Sequence, residues 1–555
     1  MDTIKTLSSW QRLVRMLKVD KRDVRQIFYY AVFSGLVGLS LPLGIQAIIN
    51  LIQGAQVSTS WIVLVSIVTL GVAFNGVLQI MQIRITENIQ QKIYTRSTFD
   101  FAYRFPKFKL SELHGRYPPE LANRFFDTLN IQKNLAKLLV EYPTAVLQIV
   151  FGLILLSFYH PFFIVYSFIM VLLVYLLFRF TGKRGLDTSL KESKSKYRNA
   201  HWIQEIARSI ISFKLSGFTS HALDKNDELT KEYLKYREKH FDVIIIQGIQ
   251  LIVFKVLVTA GLLVIGGLLV LSQQMNIGQF VAAELIILII IGAVEKLISG
   301  LESVYDMLTA VEKLGEVADK ELEKQGGARP FAPNEHFTIS LENVEYKVPD
   351  LNKPILRGVN LTINPGARVF ITGKNGSGKS TLLKMLTGML EATKGYVHIN
   401  NTDLRGIDLQ YFRSHLGHCF VEETPFEGTL RDNLTFGDTS ITDARLYEIF
   451  ELLGLSEFVR KLEQGLETII YPEGKQLNDT VIRKIILARS ILKLPKLLVL
   501  KDPLEHFSEE ETERIMAYLI DPERPWSLVV ASQNVQWEKG IDETYILAEG
   551  TLQKQ

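Results

Sequence analysis

GKNGSGKS, residues Gly373 to Ser380, fits the phosphate-loop pattern G-x-x-x-x-G-K-[ST] without a mismatch. The strand-like run Arg368-Val369-Phe370-Ile371-Thr372 leads into it, and a helical run, Ser380 to Leu390, leads out. A strand, a glycine loop and a helix N-terminus in that order form an anion nest. Backbone N–H groups converge there, and the helix dipole adds positive potential. Gly373, Gly376 and Gly378 allow backbone conformations closed to residues with a Cβ. Lys379 is placed to reach β- and γ-phosphates, and Ser380 to offer its hydroxyl to Mg²⁺. The expected nucleotide contacts are Gly373, Lys374, Asn375, Gly376, Ser377, Gly378, Lys379, Ser380 and Thr381. The bland alternative is a glycine turn before an ordinary helix, and the full pattern in its context weighs against it.

At 555 residues the chain is too long for one core, so two or more domains are expected. Hydrophobic residues make up 47%, and the excess is concentrated before residue 300. Apolar runs long enough to span a bilayer cover roughly 27–52, 61–83, 139–159, 161–181, 243–271 and 280–298. The third and fourth are separated only at His160-Pro161, which predicts a hairpin.

Charge orients these spans. The connections Gln53 to Ser60, His160 and Ser272 to Gln279 contain no Lys or Arg. The stretches Arg84 to Lys137 and Lys183 to Lys239 are rich in both, as is the N-terminal segment, with Arg12, Arg15, Lys18, Lys21, Arg22 and Arg25. The positive-inside rule then puts both termini and both long loops in the cytoplasm. Residues 1–26 lack the pattern of a cleavable signal. Trp10, Leu13, Val14 and Leu17 recur at helical spacing among basic residues, which reads as an interfacial elbow helix, or as a helix packed on the protein.

Residues 27–324 read as an all-α six-helix transmembrane domain with long cytoplasmic helical extensions. The stretch 325–336, with GGARPFAPNEH from Gly326 to His336, reads as a linker. Residues 337–555 alternate strands and helices, as in an α/β P-loop domain. Cys419 is the only cysteine, which excludes an intrachain disulfide and a Cys/His metal site of ordinary spacing. The net charge of +3 is accounted for by membrane orientation, and nothing calls for nucleic acid as a partner.

Six spans followed by a phosphate-loop domain resemble an ABC exporter half-transporter over essentially the whole chain. IGQFVAAELIIL, Ile277 to Leu288, is similar to the start of the last span in the peptide- and protein-secreting branch. The resemblance implies that two halves dimerise and that each ATP is held between the phosphate loop of one and the LSGGQ-type signature of the other. It also implies loop tips that dock on the nucleotide domains. Gly115 to Phe126 resembles the first tip, and EIARSIISFKLSGF, Glu205 to Phe218, resembles the second.

The remaining family motifs align by their flanks and depart from the pattern. LLVLKDPLEHFS, Leu497 to Ser508, stands where the family reads LLVLDEPTxxLD. Lys501 takes the place of the magnesium-positioning Asp, Asp502 that of the catalytic Glu, and Ser508 that of the closing Asp. LNDTV, Leu477 to Val481, occupies the signature position, where Asp479 and Thr480 would crowd a γ-phosphate and Asp479 would repel it. Ser532 holds the switch-histidine position, and Val421 or Glu422 the Q-loop position. Val348 stands where an aromatic would stack on adenine, with Tyr346 two residues earlier as the candidate contact. The resemblance therefore implies ATP binding without an intact catalytic set, with Ser380 as the remaining Mg²⁺ ligand. Lys501 either neutralises phosphate charge or turns to solvent or to Asp502 or Glu505.

Three functions fit these residues. One is the non-catalytic half of a transport complex whose second half is competent. The second is a conventional ATP-driven homodimeric exporter of peptides, lipids or drugs. The third is a non-enzymatic ATP-binding or structural component of a secretion assembly, joined to a periplasmic adaptor. All three imply a multi-pass protein in contact with membrane lipids, and by the family a bacterial inner membrane. Within the spans, Lys255 and Glu295 both fall about 25 Å from the outer turn at helical rise, so they either pair or snorkel separately to water.

Overall fold

The computed structural model describes residues 7–53, 59–115, 117–348 and 353–555. Most of the connection after Gln53, and Arg116 in the first of the two stretches read as loop tips, lie outside these residues. The chain divides into two compact units: residues 1–107 with 115–320, and residues 108–114 with 321–555.

The first unit is helical. Its main elements are α1 (Ser9–Val19), α2 (Lys21–Gly38), α3 (Ser40–Gln53), α4 (Thr59–Arg104), α5 (Asp127–Ala136), α6 (Tyr142–Ser157), α7 (Pro161–Arg208), α8 (His221–Leu271), α9 (Ile277–Ser299) and α10 (Leu301–Ala318). Among the described residues, the stretches Lys21–Gln53, Thr59–Lys107, Pro118–Ser157, His221–Leu271 and Ile277–Ala318 are long and apolar enough to cross a membrane. A shorter apolar stretch, Pro161–Leu176, opens α7.

Two prolines shape the spans. The first apolar run is broken between α2 and α3, just before Pro42. Proline has no N–H to give and its ring presses on the preceding turn. Pro143 likewise cannot donate to the ladder, and the turn before it, Lys137–Glu141, widens into a π-helix. The expected hairpin at His160 is present. The His160 ring accepts from the Phe162 N–H at 3.3 Å and stacks on the Phe162 ring, while Pro161 sits in the first turn of α7, where no donor is needed. On α1, Leu13 is buried, whereas Trp10 and Val14 stay half exposed.

The second unit is α/β. Its strands are β1 (Ile339–Tyr346), β2 (Leu356–Ile363), β3 (Arg368–Thr372), β4 (Lys394–Ile399), β5 (Thr402–Asp403), β6 (Leu416–Cys419), β7 (Gly428–Thr429), β8 (Ile469–Ile470), β9 (Leu497–Lys501), β10 (Ser527–Ala531), β11 (Glu543–Ala548) and β12 (Thr551–Lys554). One sheet runs β2-β1-β4-β5 and is antiparallel. The other runs β12-β11-β3-β10-β9-β6, parallel from β11 to β6. VFI, LLVL and LVVA in its central strands are buried on both faces, as helix-covered parallel strands require. Their side chains alternate between two cores. Val369, Ile371, Leu497, Val499, Val529 and Ala531 join one; Phe370, Leu498, Leu500, Leu528 and Val530 join the other. The 325–336 stretch packs within this unit: Ala328 pairs with Ile407, and Phe331 is buried against Phe337 at 4.5 Å between rings.

Candidate nucleotide site

Parallel register brings the important residues to one sheet end. Ala531 of β10 lies opposite both Ile371 of β3 and Lys501 of β9. The chain leaves these strands at Gly373, Asp502 and Ser532, in the crevice at the carboxyl ends where α/β sheets bind ligands.

The loop from Gly373 to Gly378 runs into α11 (Lys379–Leu386). Gly378 has φ 109°, and a Cβ there would lie 2.9 Å from Leu356 Cδ2. At Gly373 a Cβ would collide with the Leu547 carbonyl. Both positions therefore need glycine. Lys379 is buried, and its ammonium donates to the carbonyls of Gly373 at 2.5 Å and Lys374 at 3.1 Å. Ser377 Oγ is buried without a hydrogen-bond partner, and the hydroxyls of Ser380 and Thr381, half-buried in the first turn, make no protein hydrogen bond among the described residues. A buried, unpaired hydroxyl beside converging loop N–H groups suits a phosphate group. Lys374, Asn375 and Gly376 are exposed on the rim, where Asn375 Oδ1 accepts from Gln533 Nε2 at 3.0 Å.

Tyr346 ends β1 opposite Leu356, the residue that Gly378 abuts. Its ring packs partly on the sheet core, and burial holds its hydroxyl pKa above the usual range. Val348 is buried.

Lys501 has the strand parity of Leu497 and Val499, whose core also holds Leu382, Leu383, Met385 and Leu386 of α11. Its side chain thus belongs to the face of the phosphate-loop helix. Its charge acts on the groups there. Burial lowers the Lys379 pKa and Lys501 lowers it further, against an opposing pull from Asp502. Lys501 makes no ion pair with Asp502 or Glu505 among the described residues. Asp502 takes a left-handed φ of 43°, and its N–H donates to the Ala531 carbonyl at 3.0 Å.

Ser532 is buried. Its N–H donates to the Ile371 carbonyl at 3.2 Å, and its Oγ accepts the Asn534 N–H at 3.1 Å. Of the two Q-loop candidates, Glu422 lies beside the loop helix, with Lys384 Nζ 3.1 Å from its carboxylate. Burial would raise the Glu422 pKa, but its own backbone N–H, Lys384 and Lys501 more than offset this and hold it low. Val421 contributes its carbonyl, which with that of Phe420 accepts from the Arg483 guanidinium at 3.2 Å.

In the signature region, Asn478 caps α12 (Asp479–Leu492), its Oδ1 accepting the Val481 N–H at 2.8 Å. Asp479 is exposed in the first turn. Ser508 caps α13 (Glu509–Ile520) in a reciprocal box with Glu511. The ties from Lys384 to Glu422 and from Gln533 to Asn375 have no local sequence signal, since each joins residues brought together only by the sheet.

The ABC transporter family matches residues 356–505, and the ABC transporter transmembrane region family matches residues 26–294. The chain is 27% identical over 306 residues to the alpha-hemolysin translocation ATP-binding protein HlyB of Escherichia coli O157:H7, covering 55% of this chain and 43% of that protein. It is 25% identical over 355 residues to the leukotoxin translocation ATP-binding protein LktB of Mannheimia haemolytica, covering 63% of this chain and 50% of that protein. The matches thus span about half the length of these curated relatives or less. A bacterial Atm1-family ABC exporter solved with ATP bound shares the fold, with a TM-score of 0.84, 17% identity, and coverage of 96% of this chain and 95% of that one. This chain belongs to the ABC transporter family: it is an integral membrane protein that carries the family's transmembrane region and its ATP-binding domain on one polypeptide.

Proposed function

We propose that this chain is a transporter half that holds ATP at its phosphate loop without turning it over efficiently, in a complex with a second, catalytically competent half. The observation that carries this reading is Lys501 on the face of the phosphate-loop helix, where it acts on Lys379 and Glu422. An ammonium there repels Mg²⁺ and attracts phosphate, so ATP binding needs the metal less. The cradle residues suit phosphate; the set for Mg²⁺ is thin, with the free Ser380 hydroxyl and Asp502 as its donors. At the switch position, Ser532 Oγ accepts the Asn534 N–H, and the side chain carries no imidazole for orienting water.

In this reading the loop from Gly373 to Thr381, with Tyr346 beside the base, grips nucleotide and keeps the two halves together. A homodimer would combine two such sites, which makes a heterodimer the better fit. Connections poor in Lys and Arg on one side and loops rich in both on the other favour a cytoplasmic ATP-binding domain, and the family resemblance favours a bacterial inner membrane. The relatives are named for translocation of alpha-hemolysin and leukotoxin, which favours a peptide or protein cargo; a periplasmic adaptor fits the same reading. The retained carboxylate of Asp502 supports the conventional homodimer as a second reading, because it acts on Lys379 at the phosphate site.

The test is ATP binding and hydrolysis by the purified full chain, with Mg²⁺ and with chelator. Binding that survives chelation, is lost in Lys379→Ala and becomes Mg²⁺-dependent in Lys501→Asp is expected, with negligible turnover. Sustained hydrolysis that disappears in Lys379→Ala would establish the conventional exporter instead.

A further inference from the structure

A cavity of about 440 Å³ opens in the first unit, beside the π-turn of Lys137–Glu141. Gln79, Gln82, Ile83, Thr86 and Gln90 line it from one face of α4, at three- and four-residue spacing. Glu141, Thr144 and Lys296 line it from α6, its π-turn and α9.

Gln82 is fully buried, and neither its Nε2 nor its Oε1 has a hydrogen-bond partner. The buried hydroxyl of Thr144 is also unpaired. An orphaned primary amide in such a place is costly, and it marks a site whose partner comes from outside the protein. Three charged residues line the cavity, Glu87, Glu141 and Lys296, and of these Glu87 Oε1 accepts from Gln91 Nε2 at 2.8 Å. Glu141 and Lys296 have no ion pair or side-chain hydrogen bond among the described residues, although Glu295, next to Lys296, is paired with Lys255 on α8. Glu141 is the last residue of the π-turn, and such turns are frequent at functional sites.

Depth identifies the surroundings. The apolar run of α4 ends at Ile83, and Arg84 begins the charged stretch. From Ile277, Lys296 lies about 28 Å along α9 at about 1.5 Å per residue, close to the full hydrocarbon thickness of about 30 Å. The cavity therefore sits at the polar edge of the bilayer, where lipid headgroups lie.

We propose that this cavity binds a zwitterion that carries an ammonium and an anionic group, the chemistry of an aminophospholipid headgroup. Glu141, with Glu87 as a second carboxylate at the cavity, takes the ammonium, Lys296 takes the anion, and the Gln82 amide meets the polar atoms between them. The proposal is independent of how ATP is used.

The test uses the full chain in detergent and in nanodiscs, with phosphatidylethanolamine, phosphatidylglycerol and free glycerophosphoethanolamine as probes, read by native mass spectrometry and thermal unfolding. Wild type is expected to retain phosphatidylethanolamine over phosphatidylglycerol. Glu141→Gln, Lys296→Gln and Gln82→Leu should each weaken that retention about tenfold, as loss of a charged hydrogen bond does. Gln82→Leu should be no less stable than wild type in lipid-free detergent, which separates loss of a ligand from loss of the fold. Stabilisation by glycerophosphoethanolamine alone assigns a soluble zwitterion as the source; stabilisation by the lipid alone assigns the bilayer. Equal retention of both lipids, or retention unchanged in Glu141→Gln and Lys296→Gln, overturns the proposal.

Discussion

Lys255 Nζ stands 2.7 Å from Glu295 Oε2, joining α8 to α9 within apolar stretches of both helices. Of the two arrangements open to these charges, pairing is the one adopted. The side chains remain 35% and 49% exposed in the isolated chain, so surrounding lipid or protein decides how strongly they attract.

The pair should show as coupling rather than as two independent losses. Lys255→Ala and Glu295→Ala are each expected to lower thermal stability, and the double variant to lose less than their sum. The shortfall should be about 0.5–1 kcal/mol, the range of half-exposed ion pairs. Strictly additive effects in a double-mutant cycle would show that the contact contributes nothing.

The lowered pKa of Lys379 gives nucleotide binding an alkaline limb. Burial and the nearby Lys501 both favour the neutral amine, and Asp502 only partly opposes them. Phosphate needs the protonated form, so affinity is full below the Lys379 pKa and falls as pH rises through it. That fall should begin below the ordinary lysine range. Lys501→Ala removes one of the lowering charges and should move the limb to higher pH. Titration of binding by calorimetry would check both directions; an identical limb in wild type and Lys501→Ala would mean that the two ammonium groups do not interact.

The residues in the signature and D-loop positions also have structural work that their chemistry predicts. Asn478 and Ser508 each cap a helix, with the Asn478 carbonyl oxygen on the Val481 N–H and the Ser508 hydroxyl on the Glu511 N–H. Asn478→Ala and Ser508→Ala should each cost about 1 kcal/mol in unfolding of the second unit, whereas Asn478→Ser should cost little. Denaturant melts of the full chain read by a probe in this unit would measure the difference.

The parts legible in the sequence are those fixed by local pattern. The loop from Gly373 to Ser380 announced its strand and helix, the apolar runs announced the spans, and His160-Pro161 announced the hairpin. Strand parity on β9 even fixes which face Lys501 occupies once the sheet is known. The unread features are local breaks that hydropathy averages over, or depend on partners distant in sequence. Pro42 and Pro143 lie in apolar runs that hydropathy treats as continuous, yet the first accompanies a break and the second a π-turn. Glu422 became a distinct candidate only through Lys384, and Gln82 is unremarkable until its burial without a partner is seen.

At the N-terminus, acid should release α1. Arg12 forms a short bidentate pair with Asp319, and Ser9 Oγ donates to Glu312 at 3.0 Å. The Arg12 hydrogen bonds hold Asp319 below the usual carboxylate pKa, with burial opposing and Arg104 and Arg15 adding attraction. A carboxylate depressed in the folded state contributes stability that is present above its unfolded pKa and is lost as pH falls through the folded value. The attachment of α1 should therefore persist through mildly acidic pH and fail only below the ordinary Asp range. Trp10, half exposed on the same helix, reports the change by fluorescence. In Asp319→Asn the acid transition should vanish and α1 should be looser at neutral pH. A transition unchanged in that variant would place its origin in another carboxylate, with Glu312 the next to replace.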